Sequence, residues 1–494
     1  MSYSAVSAAV ASAVAGDVVQ LPMGTNTWTQ GVTLNGVSLI GAGTNATVII
    51  DEAPRYNNGI PLVTIHPASG SLTEVAQFTI REGVTNTSYN YNGEIQAFGD
   101  APDSWRIDHI VFDSPYAKSI IYWGHPYAVI DHCTFRMRAE GVIGYDEGYG
   151  DSSWASPPNY GMSNMVYVED CYFTNVIGWP AAATDGDEGG RMVFRHNTIM
   201  NDYCPNHGTE SSQRYRSMRL MEIYDNTFTY TRSPFTWAIQ SRGGTGVIFS
   251  NTATGFYNFC GLMNYRDGES FVPWGGATGN NPWDTNDPSP YFSGVASNPN
   301  GSQTLMVNNV NWNPNQWWAY SVDDTNTGGF SIITGNTSNT ISVYPSKDNG
   351  PMTFNNGDHI VIYRVQYALD QIGRGSGDLI QGDGPPYGSY ENVATVQPNW
   401  PHEVSEPLYV WGNTLNGNPT GAESDYPNIQ QGRDYINGTP KPGYTPFTYP
   451  HPLTFVSAGN NGGSNTNSTG GGTTNSTPSW PVPPTGVKII SHTP

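Results

Sequence analysis

The chain has 494 residues and carries 20 Lys and Arg against 41 Asp and Glu, a formal net charge of -21. That balance excludes a polyanion such as DNA, whose binding rests on Lys and Arg neutralising phosphates. With 37% hydrophobic residues, 12% charged residues and 57 glycines, the composition suits an all-β protein rich in turns rather than a helical one.

An acidic polysaccharide meets the same objection as DNA unless a divalent cation bridges the two. Cys133, Cys171, Cys204 and Cys260 are too few for a disulfide framework at this length and lack the close pairing of a zinc site. No apolar run is long enough to span a membrane. The opening "MSYSAVSAAVASAVAGDVVQLP" has no basic region of the secretory kind and reads as a short helix leading into a strand. Localisation is therefore expected to be secreted or cell-surface with a signal removed, or virion if the protein is released by lysis.

Moving along the chain, one phrase recurs. It reads "RIDHIVF" (106–112), "VIDHCTF" (129–135), "YVEDCYF" (167–173), "FRHNTI" (194–199), "IYDNTF" (223–228), "IFSNTA" (248–253) and "VWGNTL" (410–415). From Phe112 through Phe135, Phe173, Ile199 and Phe228 to Ala253 the steps are 23, 38, 26, 29 and 25 residues. Each copy is strand-like and too short for an ordinary helix. Strands and turns repeating at this period predict a solenoid with one coil per repeat. Asn197, Asn226, Asn251 and Asn413 then share one register, and Cys133 and Cys171 hold it in earlier coils. A buried Asn there would bond the backbone of the neighbouring coil. The two cysteines would lie one coil apart, about 4.8 Å, as stacked thiols or a disulfide. His109, His132 and His196 share the register just before, as a groove lining or as corner residues.

In these phrases the chain resembles the right-handed parallel β-helix proteins, and the pectate lyase superfamily in particular. The resemblance covers roughly residues 1–268 and resumes near 365–455. It implies an all-β, right-handed parallel β-helix. A narrower likeness is to the extracellular pectate lyases: "VIDHC", "VEDC", "RHN", then Arg214 and Arg219, then "DN" follow that family's order. By this resemblance Arg214 would take the proton α to a uronate carboxylate and Arg219 would clamp the substrate. Arg216 stands where the family has proline, and the family's D-x-D pair has no counterpart in "KSIIYWGHPYAVIDH". The arginines also admit a structural reading, as partners of the nearby acids.

Two acidic loops flank the arginines, "GYDEGYGD" and "ATDGDEGG". They supply Asp146, Asp151, Asp185, Asp187 and Glu188 as candidate ligands for a hard cation such as Ca2+. Arg216, His196, His207, Trp179, Trp237 and Arg242 are candidates for holding a sugar chain through charge or ring stacking.

Near residue 269 the composition turns to Pro, Gly and Asn. Residues 269–364 read as a linker and a small inserted β module, 365–456 as the final coils and a closing segment, and 457–494 as a flexible Gly/Ser/Thr/Asn tail. Function narrows to two classes. One is an extracellular lyase cleaving an acidic, uronate-containing polysaccharide by cation-assisted β-elimination. The other is a non-catalytic glycan-binding β-helix, such as a viral tail spike or adhesin, a homotrimer if a spike and otherwise a monomer. Hydrolysis by paired carboxylates fits the acidic loops but has no β-helix hydrolase signature here.

Overall fold

The computed structural model describes residues 2–55, 59–84, 90–146, 153–154, 156–176, 181–208, 217–233, 235–263, 290–344, 352–365, 371–378, 402–426, 428–458 and 488–490. The expected linker at 269–289 and most of the expected tail lie outside these residues. The helix Tyr3–Ser12 opens the chain: Ser2 caps it by accepting from the Ala5 N–H, and Val6 is its fully buried residue.

Beyond the helix the chain is a right-handed parallel β-helix, the hand favoured for parallel crossovers. Each coil supplies three short strands to three parallel sheets. In one coil they are Tyr127–Asp131, Thr134–Met137 and Glu140–Tyr145. The next coil repeats them as Val166–Glu169, Tyr172–Asn175 and Ala182–Gly186. Ile130 lies beside Val168, Phe135 beside Phe173 and Ile143 beside Asp185. Like therefore stacks on like in the first two strands, while in the third an apolar residue lies beside a carboxylate. Inside the coils, the rings of Phe112, Phe135 and Phe173 follow one another at centroid spacings of 4.9 and 4.4 Å.

The recurring phrase is the corner between the first and second strands. His109, His132, Asp170, His196, Asp225 and Ser250 all sit there with φ between 49° and 56°, and Gly412 has φ 65°. A left-handed residue turns the chain sharply, and His, Asp and Gly are among the types that tolerate it. The histidine register is thus a backbone requirement of the corner.

The residue after each corner points inward. Asn197 donates its backbone N–H to Asn226 Oδ1 at 2.9 Å, Asn226 to Asn251 Oδ1 at 3.0 Å, and Asn251 to Asn413 Oδ1 at 2.9 Å. Cys171 donates to Asn197 Oδ1 at 2.9 Å, and Cys133 reaches Cys171 Sγ at 3.4 Å. All of these side chains are buried, and the cysteines are free thiols. The expected ladder is present in the expected order.

Between the coil ending at Leu262 and the strand Leu408–Trp411 lies a separate antiparallel sheet. Its strands are Phe292–Val295, Thr304–Met306, Tyr320–Asp324, Gly329–Asn336, Thr340–Val343 and His359–Val365. It encloses its own core around Trp312, Val322, Ile341 and Ile360. The parallel coils then resume, with Val247 beside Tyr409 and Phe249 beside Trp411. At the other end of the solenoid, Val18–Gln20 pairs antiparallel with Lys488–Ile490, which occupies an otherwise open strand edge.

Replacing Asn226 by Ala removes the acceptor for the Asn197 N–H and the donor to the Phe194 and Tyr224 carbonyls. Leaving such groups buried and unpaired costs about 1–3 kcal/mol each. Denaturant unfolding of Asn226→Ala should show a stability loss at or above the upper end of that range. A loss under about 1 kcal/mol would contradict the ladder's role.

Candidate functional site

Asp108, Asp131, Glu169 and the two arginines inside the recurring phrases are buried, while Asp170 is half-buried and Asp225 exposed. In the first sheet Asp108, Asp131, Glu169 and Arg195 follow one another in register on its outer side. The closing segment covers them. Arg195 is fully buried, pairs with Glu169 at 2.6 Å, and donates to the Phe447 and Thr448 carbonyls at 2.7 and 2.9 Å. Arg106 grips Asp131 through two bonds of 2.8 and 2.7 Å and reaches the Val456 carbonyl at 3.0 Å. His451 N–H donates to Glu169, Ala458 N–H to Glu74, and Tyr444 Oη to Glu222. Residues 444–458 thus form a strap whose backbone neutralises a buried charge ladder. His196, expected to hold substrate, stacks on Tyr449 at 3.6 Å and belongs to this strap contact.

Arg219, expected to clamp substrate, is fully buried. It pairs with Glu406 at 2.6 Å, donates to the Ser156 carbonyl at 3.1 Å, and lies over the Trp154 ring at 5.3 Å. Its charge is thus paired with Glu406 from a distant turn, while its Nε has no hydrogen-bond partner among the described residues. Arg214, Arg216, Trp179 and Asp151 lie outside the described residues.

The strands of the third sheet are largely buried, Ala182–Gly186 along its whole length, but the sheet borders an opening. There a cleft of about 320 Å³ is lined by Lys118, Arg138, Glu140, Asp185, Tyr203, His207 and Arg242, with Tyr91 at its rim. Stacking brings these together from five successive coils. His207 and Arg242 follow the paired strands Cys204–Pro205 and Phe235–Ser241. His207 Nδ1 meets Asp185 Oδ1 at 2.6 Å. Burial disfavours charge on both, but each holds the other ionised: Asp185 is lowered below the usual carboxylate range by His207, Arg242 and Lys118, and His207 is raised by Asp185. Tyr203 is pushed up to about 12 by burial and by Asp185, so it stays a phenol. Arg242 Nε donates to the Asn206 carbonyl at 2.9 Å, Lys118 meets Glu140 at 2.8 Å, and Arg138 donates to Tyr116 Oη at 3.0 Å. With His207 protonated, four cations stand against two carboxylates, on a chain whose overall charge is -21.

Three expected site residues, His207, Arg242 and Asp185, meet in this cleft. Trp237 lies half-buried on the same sheet, so close over Gly261 that a Cβ there would come within 2.6 Å of its ring. Lys118, Arg138 and Tyr203 belong to no motif, and only the coil register reveals them. Among the described residues, the expected Ca2+ ligands Asp146, Asp185, Asp187 and Glu188 do not meet in one group. Asp185 is committed to His207, Asp187 accepts from the Glu188 N–H at 3.0 Å, and burial raises Glu188 to about 7. Asp146 lies instead beside Asp100 and His125.

No protein-family model and no curated protein matches the chain. Among solved structures it is similar to the ORF18 protein of Geobacillus virus E2, at 14% identity over 74% of this chain and 73% of that one, with a TM-score of 0.32. It is also similar to a pectin methylesterase in complex with a hexasaccharide, at 10% identity over 53% and 78% of the two chains and a TM-score of 0.29. A tailspike of E. coli bacteriophage HK620 in complex with a pentasaccharide matches at 10% identity over 70% and 86%, with a TM-score of 0.28. These likenesses are distant, and the fold stands on the coil register itself. No helix among the described residues is long and apolar enough to cross a membrane.

Two measurements test the strap. Arg195→Met leaves Glu169 charged and buried without its partner, which costs about 3–5 kcal/mol. It should lower stability by that order and open the closing segment to limited proteolysis. Glu74 behaves in the opposite sense to a surface acid. Burial and the Asp108 charge raise it from 4.5 to about 8, because Arg106 is committed to Asp131. Its contribution to stability is complete below the unfolded value and is lost as pH rises through about 8. In Glu74→Gln, the decline in melting temperature between about pH 5 and 8 should flatten relative to the parent. Parallel pH profiles for the two proteins would refute it.

Proposed function

We propose that this chain engages an acidic polysaccharide in the third-sheet cleft and cleaves it by β-elimination. The observation that carries the reading is the cation cluster of Lys118, Arg138 and Arg242 around the His207–Asp185 pair in a strongly acidic protein. A uronate carboxylate placed against Arg242 and Lys118 gains charge-assisted hydrogen bonds. The same cations stabilise the enolate that forms when the adjacent C–H loses its proton.

His207 in its neutral form is the base: Asp185 accepts from its Nδ1–H, and its free Nε2 takes the proton from the C–H, which leaves the imidazolium beside Asp185. The C–H electron pair forms the new C=C bond, and the glycosidic C–O bond breaks. The departing oxygen takes a proton, which the Tyr203 phenol is placed to supply. Trp237, further along the sheet, offers a ring face to a neighbouring sugar. No step in this scheme uses a metal ion.

The test is the absorbance of unsaturated uronate on a panel of pectate, alginate and glycosaminoglycans, together with binding to each polymer. The parent protein should generate the chromophore from at least one of them. His207→Gln should reduce turnover by about 10²–10⁴-fold with KM little changed, and Arg242→Ala should raise KM. Binding that depends on Arg242 with no product from any polymer would replace the lyase by a glycan-binding protein using the same cleft. Failure to bind any acidic polymer would overturn the proposal.

A further inference from the structure

A second constellation lies at the turn that follows the third strand. The strands Ile95–Phe98, Ile120–Trp123 and Glu140–Tyr145 are neighbours in parallel register. Their last residues stack as an aromatic column, Phe98 on Trp123 at 4.7 Å and Trp123 by Tyr145 at 5.6 Å. Immediately past that column each coil contributes one donor: Asp100, His125 and Asp146. One ligand atom from each of the three lies within 4.8 Å of the other two. His125 Nδ1 stands 3.3 Å from Asp100 Oδ1 and 3.7 Å from Asp146 Oδ2.

Three features separate this group from a chance meeting of acids. His125 Nδ1 is shielded from solvent and faces both carboxylates, but among the described residues it makes no hydrogen bond of good geometry. The backbone is shaped around the group: His125 N–H donates to Asp100 Oδ1 at 3.0 Å, and Gly124, with φ 87°, approaches so closely that a Cβ would fall 2.7 Å from that oxygen. The spacing also suits a shared ion. Metal–nitrogen and metal–oxygen bonds of about 2.0–2.2 Å place ligand atoms roughly 3–3.5 Å apart, and the two histidine–carboxylate separations, 3.3 and 3.7 Å, lie close to that range. Behind the site, Arg191 Nη1 stands 3.6 Å from Asp146 Oδ2 and donates to Ser153, an outer contact that orients the carboxylate.

We infer that Asp100, His125 and Asp146 bind one divalent transition-metal ion of the Zn2+ class, which pins three successive coils at this turn. An imidazole with two carboxylates favours such an ion over Ca2+ or Mg2+, which take oxygen ligands. Three protein ligands leave coordination positions open to water. This site is separate from the His207 cleft and does not rest on the lyase reading.

The test uses the full chain, stripped with EDTA and dialysed, then titrated separately with Zn2+, Co2+ and Ca2+ at micromolar concentration. Expected are one equivalent of bound Zn2+ or Co2+ by elemental analysis, and a melting temperature raised by about 2 °C or more. Co2+ should also give a visible absorption band, and Ca2+ should cause no shift. His125→Ala and the milder Asp100→Asn should each lower the metal affinity at least tenfold and remove the shift. His109→Ala, at an exposed corner histidine, should leave both unchanged. A parent protein that binds less than one equivalent, or that binds equally well after His125→Ala, would overturn the inference in favour of an imidazole–carboxylate ion pair.

Discussion

The hydrogen bond from one coil's corner to the Asn side chain of the next is the constraint on which the structure depends. At each corner the chain enters the left-handed region and leaves the sheet ladder, so one N–H per coil loses its usual partner. Asn Oδ1 from the following coil supplies the acceptor, as between Asn197 and Asn226. The bond satisfies a buried donor, and it also fixes where every coil turns relative to its neighbour. Once the corners are aligned, every position along a strand is aligned as well. The phenylalanine stack, the charge ladder of the first sheet and the cleft of the third sheet all follow from that one register.

The sheets then diverge by what covers them. Strands such as Arg191–Arg195 and Leu220–Tyr224 are buried along their whole length because the strap lies outside them and the coil core inside. Parallel sheets are usually covered on both faces, but here the outer face carries charge. Each buried charge needs a partner, and the strap supplies many of them from its own backbone. Arg195 binds two strap carbonyls, and Glu169 and Glu74 accept strap amides. The strap thereby uses the arginines and several acids of the recurring phrases, and the cleft of the third sheet lies apart from it.

The architecture was legible because a solenoid writes its fold as a repeat. Asn197, Asn226, Asn251 and Asn413 could be aligned by eye, and their burial in one column follows from that alignment. The site was legible only in part, for two physical reasons. Lys118, Arg138, Tyr203 and Arg242 are scattered over 124 positions, 242 minus 118, and meet only because coils stack; no local pattern records that meeting. Conversely, Arg219 stands out through its likeness to the arginine pair of the pectate lyases, and His196 because stacked histidines of one register can line a groove. Their covers, Glu406 and Tyr449, come from distant parts of the chain. The sequence signal for His207 and Asp185 was mere proximity to the acidic loops, whereas their pairing is a product of the register.

Net charge and local charge act on different length scales at the cleft. A chain at -21 repels an anionic polymer at a distance, but at physiological ionic strength that repulsion fades beyond about 8 Å. Within that distance the local field belongs to Lys118, Arg138, Arg242 and His207. Under the proposed reading, added salt should therefore act in opposite directions on the two rates. It screens the overall repulsion and speeds encounter, and it weakens the contacts in the cleft and speeds release. Stopped-flow association of an anionic oligosaccharide should show kon rising with salt while koff rises too. A kon that falls with salt, as for an ordinary pair of opposite charges, would mean that the cation cluster steers the ligand from afar. In that case the acidic coils would contribute little to the approach, and the cleft alone would set the encounter rate.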